Sequence, residues 1–252
     1  MLASRSPSPD NDVLAISTAL IPERAAKPAA TSTITFGNLL PLTRALVLHE
    51  DLQEGCGGQL WPAGMVLAKY MLQYHKISLK DKTVLEIGAG GGLVGLAVAL
   101  GCEFAGSEDH KLYITDQIPM LALMKKNIAM NHVGDRVEAL VYDWGTPPPD
   151  KVLRNTGETT QHPDIVLAAD CVYFEPTFPL LLQTMGDLIG PDTVCYFCFK
   201  KRRKADMRFI RDMKKKFAVD AIQYDSREVD QRQGIFLYHV RMKPGTSSSK
   251  KN

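Results

Sequence analysis

An apolar segment, Thr83-Val84-Leu85-Glu86-Ile87, runs directly into Gly88-Ala89-Gly90-Gly91-Gly92, and from there into a second apolar stretch, Leu93–Leu100. Four glycines in five residues let the backbone turn tightly and approach a ligand with no side chain between them. A helix opening there presents free amide donors and a positive dipole end. A plain strand-to-helix turn rarely needs so much glycine. The junction therefore predicts a strand at Thr83–Ile87, a ligand-binding turn, and a helix at roughly Gly92–Leu100.

The rest of the chain continues the alternation. Strands are expected at Leu112–Thr115, Arg136–Val141, Ile165–Ala169 and Thr193–Phe199, with helices at about Ile118–Asn131, Phe178–Ile189 and Asp206–Phe217. Two closing strands, near Val219–Tyr224 and Ile235–Arg241, have no helix expected between them. A helix at Met65–Tyr74 precedes the sheet, after an irregular, partly extended segment. Strand and helix in turn are the pattern of a parallel sheet covered on both faces. The expected fold is α/β: a doubly wound, seven-stranded, mostly parallel sheet with an antiparallel strand pair at one edge. Residues 1–30, rich in Ser, Pro and Ala, and the tail 244–252 read as disordered, leaving one domain at 31–243. Thr146–Pro163 reads as a polar, proline-rich loop.

Composition bounds the function classes. At 45% hydrophobic and 23% charged residues the chain has ordinary globular composition, and a net charge of +2 gives no nucleic-acid footprint. Five cysteines, an odd count at irregular spacings, fit a reducing compartment better than a disulfide framework. The apolar stretches are too short to span a bilayer. The expectation is a cytoplasmic protein without membrane attachment, acting as a monomer. Cys195-Tyr196-Phe197-Cys198 is formally C-x-x-C, but on a strand its two thiols face opposite sides, so no metal site is expected. The run Lys200-Lys201-Arg202-Arg203-Lys204 reads as a solvated loop and helix face, with contact to nucleic acid or an acidic protein surface as the alternative.

In a doubly wound sheet ligands lie outside the carboxyl ends of the strands, at the switch point of the winding. After the first strand, Gly90-x-Gly92-x-x-Gly95 formally matches a dinucleotide fingerprint, yet it begins three residues past Ile87. The better-placed pattern is Glu86-x-Gly88-x-Gly90. A carboxylate there would repel a pyrophosphate and attract an ammonium or sulfonium, which favours a methyl donor over a nicotinamide cofactor. Asp116, ending the second strand, can accept both hydroxyls of a ribose, or simply cap the next helix. After the third strand, Asp143 can accept from an adenine amine and Trp144 offers a stacking face; an aromatic covering the sheet edge is the plainer reading. Asp170-Cys171-Val172-Tyr173 follows the fourth strand, where a transferred methyl would lie. Carboxylate and phenol could converge there, or the pair could be a cap and a half-buried tyrosine.

Taken together, Glu86–Gly92, Asp116, Asp143-Trp144 and Asp170-x-x-Tyr173 resemble the seven-strand, Rossmann-like methyltransferases, and more closely the protein-lysine methyltransferases grouped as methyltransferase family 16. That group typically carries Trp-Pro-Ala before the first strand, as Trp61-Pro62-Ala63 does here. The resemblance covers about residues 32–242 and is strongest to fungal members that methylate a lysine of translation elongation factor 1-alpha. It implies S-adenosylmethionine as donor, with contacts from Trp61, Gly88, Ala89, Gly90, Asp116, Trp144 and Ala169, and a folded protein as acceptor. A lysine amine has a reference pKa of about 10.4, so it must lose a proton before attack. On this reading Asp170 orients the incoming ammonium and Tyr173 lines its slot. An RNA or small-molecule methyltransferase, and a donor-binding assembly partner without activity, remain the competing readings.

Overall fold

The computed structural model describes residues 29–52, 56–103, 110–155 and 160–244, so most of the expected disordered termini lies outside the described residues. The chain opens with two short strands, β1 (Ala30–Ile34) and β2 (Leu46–Glu50), paired antiparallel. Helix α1 (Pro62–Tyr74) follows, then β3 (Val84–Ile87), α2 (Leu93–Gly101), β4 (Leu112–Asp116), α3 (Ile118–Met130) and β5 (Val137–Val141). A two-residue ladder, β6 (Arg154–Asn155) with β7 (Thr160–Gln161), folds back within the expected loop. The second half runs β8 (Ile165–Ala169), α4 (Phe178–Leu188), β9 (Val194–Lys200), α5 (Lys204–Lys216), β10 (Phe217–Ala221), α6 (Arg227–Arg232) and β11 (Ile235–Met242).

The main sheet has seven strands in the order β10-β11-β9-β8-β3-β4-β5. Pairs among β9, β8, β3, β4 and β5 are parallel, and β11 runs antiparallel to both β9 and β10. The winding proceeds from β3 outward to β5, returns to β8, and proceeds the other way. Its switch point is the β3/β8 boundary. The six-residue α6 corrects the expectation that no helix joins the last two strands.

Two cores sandwich the sheet, one against α1, α2 and α3 and the other against α4 and α5. The period-2 alternation of strands distributes side chains between them. Cys195, Phe197 and Phe199 join the second core while Tyr196 and Cys198 join the first. The two thiols of the C-x-x-C therefore sit on opposite faces, as the strand reading required.

The β1–β2 pair is fastened by side chains of a helix. Asn131 accepts the Val47 amide at 2.9 Å and donates to the Val47 carbonyl. One turn earlier, Asn127 does the same at His49, accepting at 2.8 Å and donating at 3.1 Å. Spacing of i, i+4 puts both amides on one face of α3. Asn127, fully buried, also donates to the Gly91 carbonyl at 2.9 Å, so one side chain ties β2 to the glycine turn.

Candidate active site

The glycine turn after β3 has the backbone its composition requires. Gly88, Gly90 and Gly92 all adopt positive φ, at 61°, 55° and 87°. A Cβ on Gly90 would collide with the Gly57 carbonyl oxygen and stand 3.1 Å from the carbonyl carbon. The Cys56–Gly58 turn thus presses on the loop, a contact that the sequence reading did not anticipate. A Cβ on Gly88 would lie 3.0 Å from both the Trp144 ring and the Cys171 sulfur. Ala89, buried, donates its amide to the Thr115 carbonyl at 3.0 Å.

Asp116 closes this cradle from the end of β4. Its carboxylate accepts the Gly90 amide at 2.7 Å through Oδ2 and the Gln117 amide at 2.7 Å through Oδ1. Burial, and then the charge of Asp143, push its carboxyl up from the usual carboxylate range, while these two amides pull it down. Asp116 therefore anchors the loop and the residue that leads into α3, with lone pairs remaining for hydroxyl donors. Asp143 is exposed beside it, and Trp144 is half-buried against Gly88. Two glycines with no Cβ, a carboxylate and an indole face are gathered at the carboxyl ends of β3, β4 and β5. That set fits the adenosyl portion of a nucleoside ligand.

Glu86 is placed differently from its expectation. It is 2% exposed, and its carboxylate accepts the Gly95 amide at 2.7 Å in the first turn of α2. The group expected to meet a ligand's ammonium faces the N-terminal turn of a helix instead. Burial pushes this carboxyl up to about 8, against the lowering pull of the Gly95 and Val94 amides. Gly95 is the third glycine of the formal dinucleotide pattern. Here it admits α2 close to the sheet, since a Cβ would lie 2.8 Å from Glu86 Oε2 and 2.9 Å from Leu112.

A second cluster forms across β8. Ala169 ends that strand, and Asp170 follows with a left-handed φ of 54°. Asp170 is 6% exposed, and its Oδ2 accepts the Ala63 amide at 3.2 Å. Its Oδ1 accepts the Lys200 amide at 2.9 Å, and Arg202 grips both oxygens, at 3.0 and 3.2 Å. The Arg202 guanidinium also lies 5.1 Å from the Trp61 ring centroid. Trp61 is the N-cap of α1, with Pro62 in the first turn. The Trp-Pro-Ala segment, the turn after β8 and the basic run after β9 therefore meet on one carboxylate. This corrects the reading of that run as merely solvated. Arg202 belongs to Asp170, while buried Asp206 accepts the Arg202 and Arg203 amides at 2.7 and 2.8 Å. Residues 170–173 form no helical turn. Tyr173 stands 46% exposed, and its carbonyl accepts from the Arg203 guanidinium.

Comparison with known proteins agrees with this geometry. The profile of a family described as lysine methyltransferase matches residues 42–216. The chain belongs to the lysine methyltransferase family. It is an S-adenosylmethionine-dependent methyltransferase. Protein-lysine N-methyltransferase EFM6 of Saccharomyces cerevisiae is 40% identical over 197 residues, covering 73% of this chain and 78% of that one. EEF1A lysine methyltransferase 3 of Xenopus tropicalis is 30% identical over 167 residues, covering 66% and 67%. Among solved structures, the 16S rRNA N2 G1207 methyltransferase RsmC of T. thermophilus superposes with a TM-score of 0.54 at 12% identity. That match covers 87% of this chain and 52% of the other, a likeness of fold alone. Among the described residues no helix is long and apolar enough to cross a membrane, and no group of three or more His, Cys, Asp or Glu residues could hold a metal ion.

Proposed function

We propose that this methyltransferase acts on a lysine side chain of a protein, translation elongation factor 1-alpha, as a cytoplasmic monomer. The observation that carries the reading is the adjacency of two walls at the β3/β8 switch point. Gly88, Gly90, Asp116 and Trp144 make one, Asp170 with Trp61 reached through Arg202 makes the other, and Gly88 lies against Cys171 between them. A frog relative named for elongation factor 1-alpha supports the choice of acceptor.

In this reading Gly88, Ala89, Gly90 and Ala169 supply close backbone approach, Asp116 takes the ribose hydroxyls, and Asp143 and Trp144 meet the adenine. Glu86 works from beneath, by fixing α2 to β3. Bound S-adenosylmethionine supplies an electrophilic methyl group. Asp170 and Tyr173 border the acceptor slot, where positioning of the amine dominates catalysis. All four hydrogen-bonding positions of Asp170 are already filled by protein donors. Its role is accordingly to build the slot rather than to grip the ammonium directly.

The test is incubation of the purified chain with methyl-labelled donor and unmethylated elongation factor 1-alpha, alongside whole-cell lysate treated with protease or ribonuclease. Label is expected in the factor and, after acid hydrolysis, in methyllysine. Label that survives protease and is lost to ribonuclease would replace this reading with an RNA methyltransferase.

A further inference from the structure

The acceptor wall contains a cation that no part of the reading above employs. An ionised carboxylate offers about four acceptor positions. At Asp170 two are taken by backbone amides, of Ala63 and Lys200, and two by the single guanidinium of Arg202. The Asp170 side chain is 3% exposed and that of Arg202 is 28% exposed. Only the carboxylate is buried, so removing Arg202 strands the Asp170 charge, which is costly. A cation–π contact with Trp61 adds to the hold on the guanidinium. Other charges bear on the same region: Asp116 and Glu86 act with Asp170 on the Cys171 thiol. Arg203 pairs with Asp206, Asp206 also takes two backbone amides, and Asp230 of α6 bears on the Cys198 thiol, as Asp170 does.

We propose that Arg202 is a positioning residue of the acceptor site, bridging Asp170 to the Trp61 ring and neutralising the carboxylate so that the lysine arrives as the free amine. The inference rests on the lysine-methylating reading. A bare buried carboxylate beside the slot would hold the lysine as an ammonium, which has no lone pair to donate. With the carboxylate matched by a guanidinium, that stabilisation is removed and the ammonium releases its proton to solvent. The amine's lone pair then forms the N–C bond as the C–S bond breaks and leaves its electrons on sulfur.

The test uses the full chain, saturating S-adenosylmethionine and hypomethylated fungal lysate, reading methyllysine in acid hydrolysates between about pH 7 and about pH 10. A change of about one unit in the lysine pKa alters the free-amine fraction about tenfold at neutral pH. Arg202→Gln should lower the rate about tenfold near pH 7.5 and recover towards wild type near pH 9.5. Arg202→Lys should keep most of the rate. The double variant Asp170→Asn with Arg202→Gln removes the stranded charge, so it folds more readily than Arg202→Gln and should outperform it near neutral pH. Donor affinity should change less than about twofold in all three, because none of these residues is in the donor cradle. A loss in Arg202→Gln that is equal at every pH, no loss at all, or a double variant no better than the single one overturns the proposal. Absence of methyllysine from the wild-type reaction removes the lysine reading itself, and this inference with it.

Discussion

Glu86, in the middle of the sheet, accepts the amide of Gly95 from the first turn of α2 at 2.7 Å. The strand that carries the glycine turn and the helix that leaves it are thereby tied together beneath that turn. A carboxylate 2% exposed is a stability device with a pH signature.

Burial holds the Glu86 carboxyl at about 8 in the folded chain, against roughly 4.3 in an unfolded one. Between those values the folded state keeps a proton that the unfolded state has released. The contribution to stability is therefore fully present below about pH 4.3 and is lost as pH rises through about 8. Glu86→Gln keeps a carbonyl oxygen for the Gly95 amide and cannot ionise. Unfolding free energies from urea titrations near pH 5, 7 and 9 should fall less steeply in the variant, by on the order of 1 kcal/mol per pH unit across the window. Parallel curves for the two proteins would assign the pH dependence to other groups.

Gly90 should be intolerant of any side chain. Its φ of 55° is left-handed, and a Cβ would meet the Gly57 carbonyl. Gly90→Ala is expected to cost at least about 2 kcal/mol in urea denaturation and to abolish measurable donor binding. Gly134→Ala is the control, because a Cβ there meets only Ile128 at an ordinary 3.7 Å. It should leave donor affinity unchanged. Equal affinity in both variants would mean that the glycine turn does not touch the donor.

Much of this was legible in the sequence, where local chemistry and one period sufficed. The glycine turn, Asp116 at a strand end, and the opposed faces of Cys195 and Cys198 follow from spacing alone. What escaped depends on partners far along the chain. The β1–β2 pair has five-residue strands with little alternation, and its second edge is completed by Asn127 and Asn131, 78 and 84 residues away. Arg202 looked like one charge in a solvated run, and only the fold brings it to Asp170, 32 residues earlier. Gly57 and Gly58 gave a usable signal, a glycine pair before the Trp-Pro-Ala segment, but nothing local said that it would lean on Gly90. Glu86 was assigned by charge to a ligand, whereas the nearest positive end was a helix.

Asp116→Ala does not separate donor binding from the fold cleanly, since the partly buried carboxylate also holds the Gly90 and Gln117 amides. Each charge-assisted bond to a ribose hydroxyl is worth about 1.5–3 kcal/mol, so affinity should drop at least about tenfold. Calorimetry with the demethylated donor product measures this. Asp116→Asn keeps an acceptor for Gly90 and should preserve stability while still weakening the ligand. If affinity survives both substitutions, Asp116 only anchors the loop and the ribose lies elsewhere.

Asp206 offers a way to reach the acceptor wall without touching it. Fully buried at the start of α5, it accepts the Arg202 amide at 2.7 Å, the Arg203 amide at 2.8 Å and the Arg203 guanidinium at 3.2 Å. These bonds fold the basic run so that Arg202 points back to Asp170 and Arg203 to the Tyr173 carbonyl. Asp206→Ala leaves the Arg202 and Arg203 amides without their acceptor, while the half-exposed Arg203 guanidinium keeps the Tyr173 carbonyl, and should destabilise the chain by about 2–3 kcal/mol. Asp206→Asn retains an acceptor and should lose less, on the order of 1–2 kcal/mol. In both variants methyl transfer is expected to fall while donor affinity holds, because the cradle of Gly88, Gly90 and Asp116 shares no contact with Asp206. Denaturation, calorimetry and initial rates on one preparation decide the matter. A variant that folds and transfers methyl groups at the wild-type rate would show that the geometry of the basic run is irrelevant to the acceptor side.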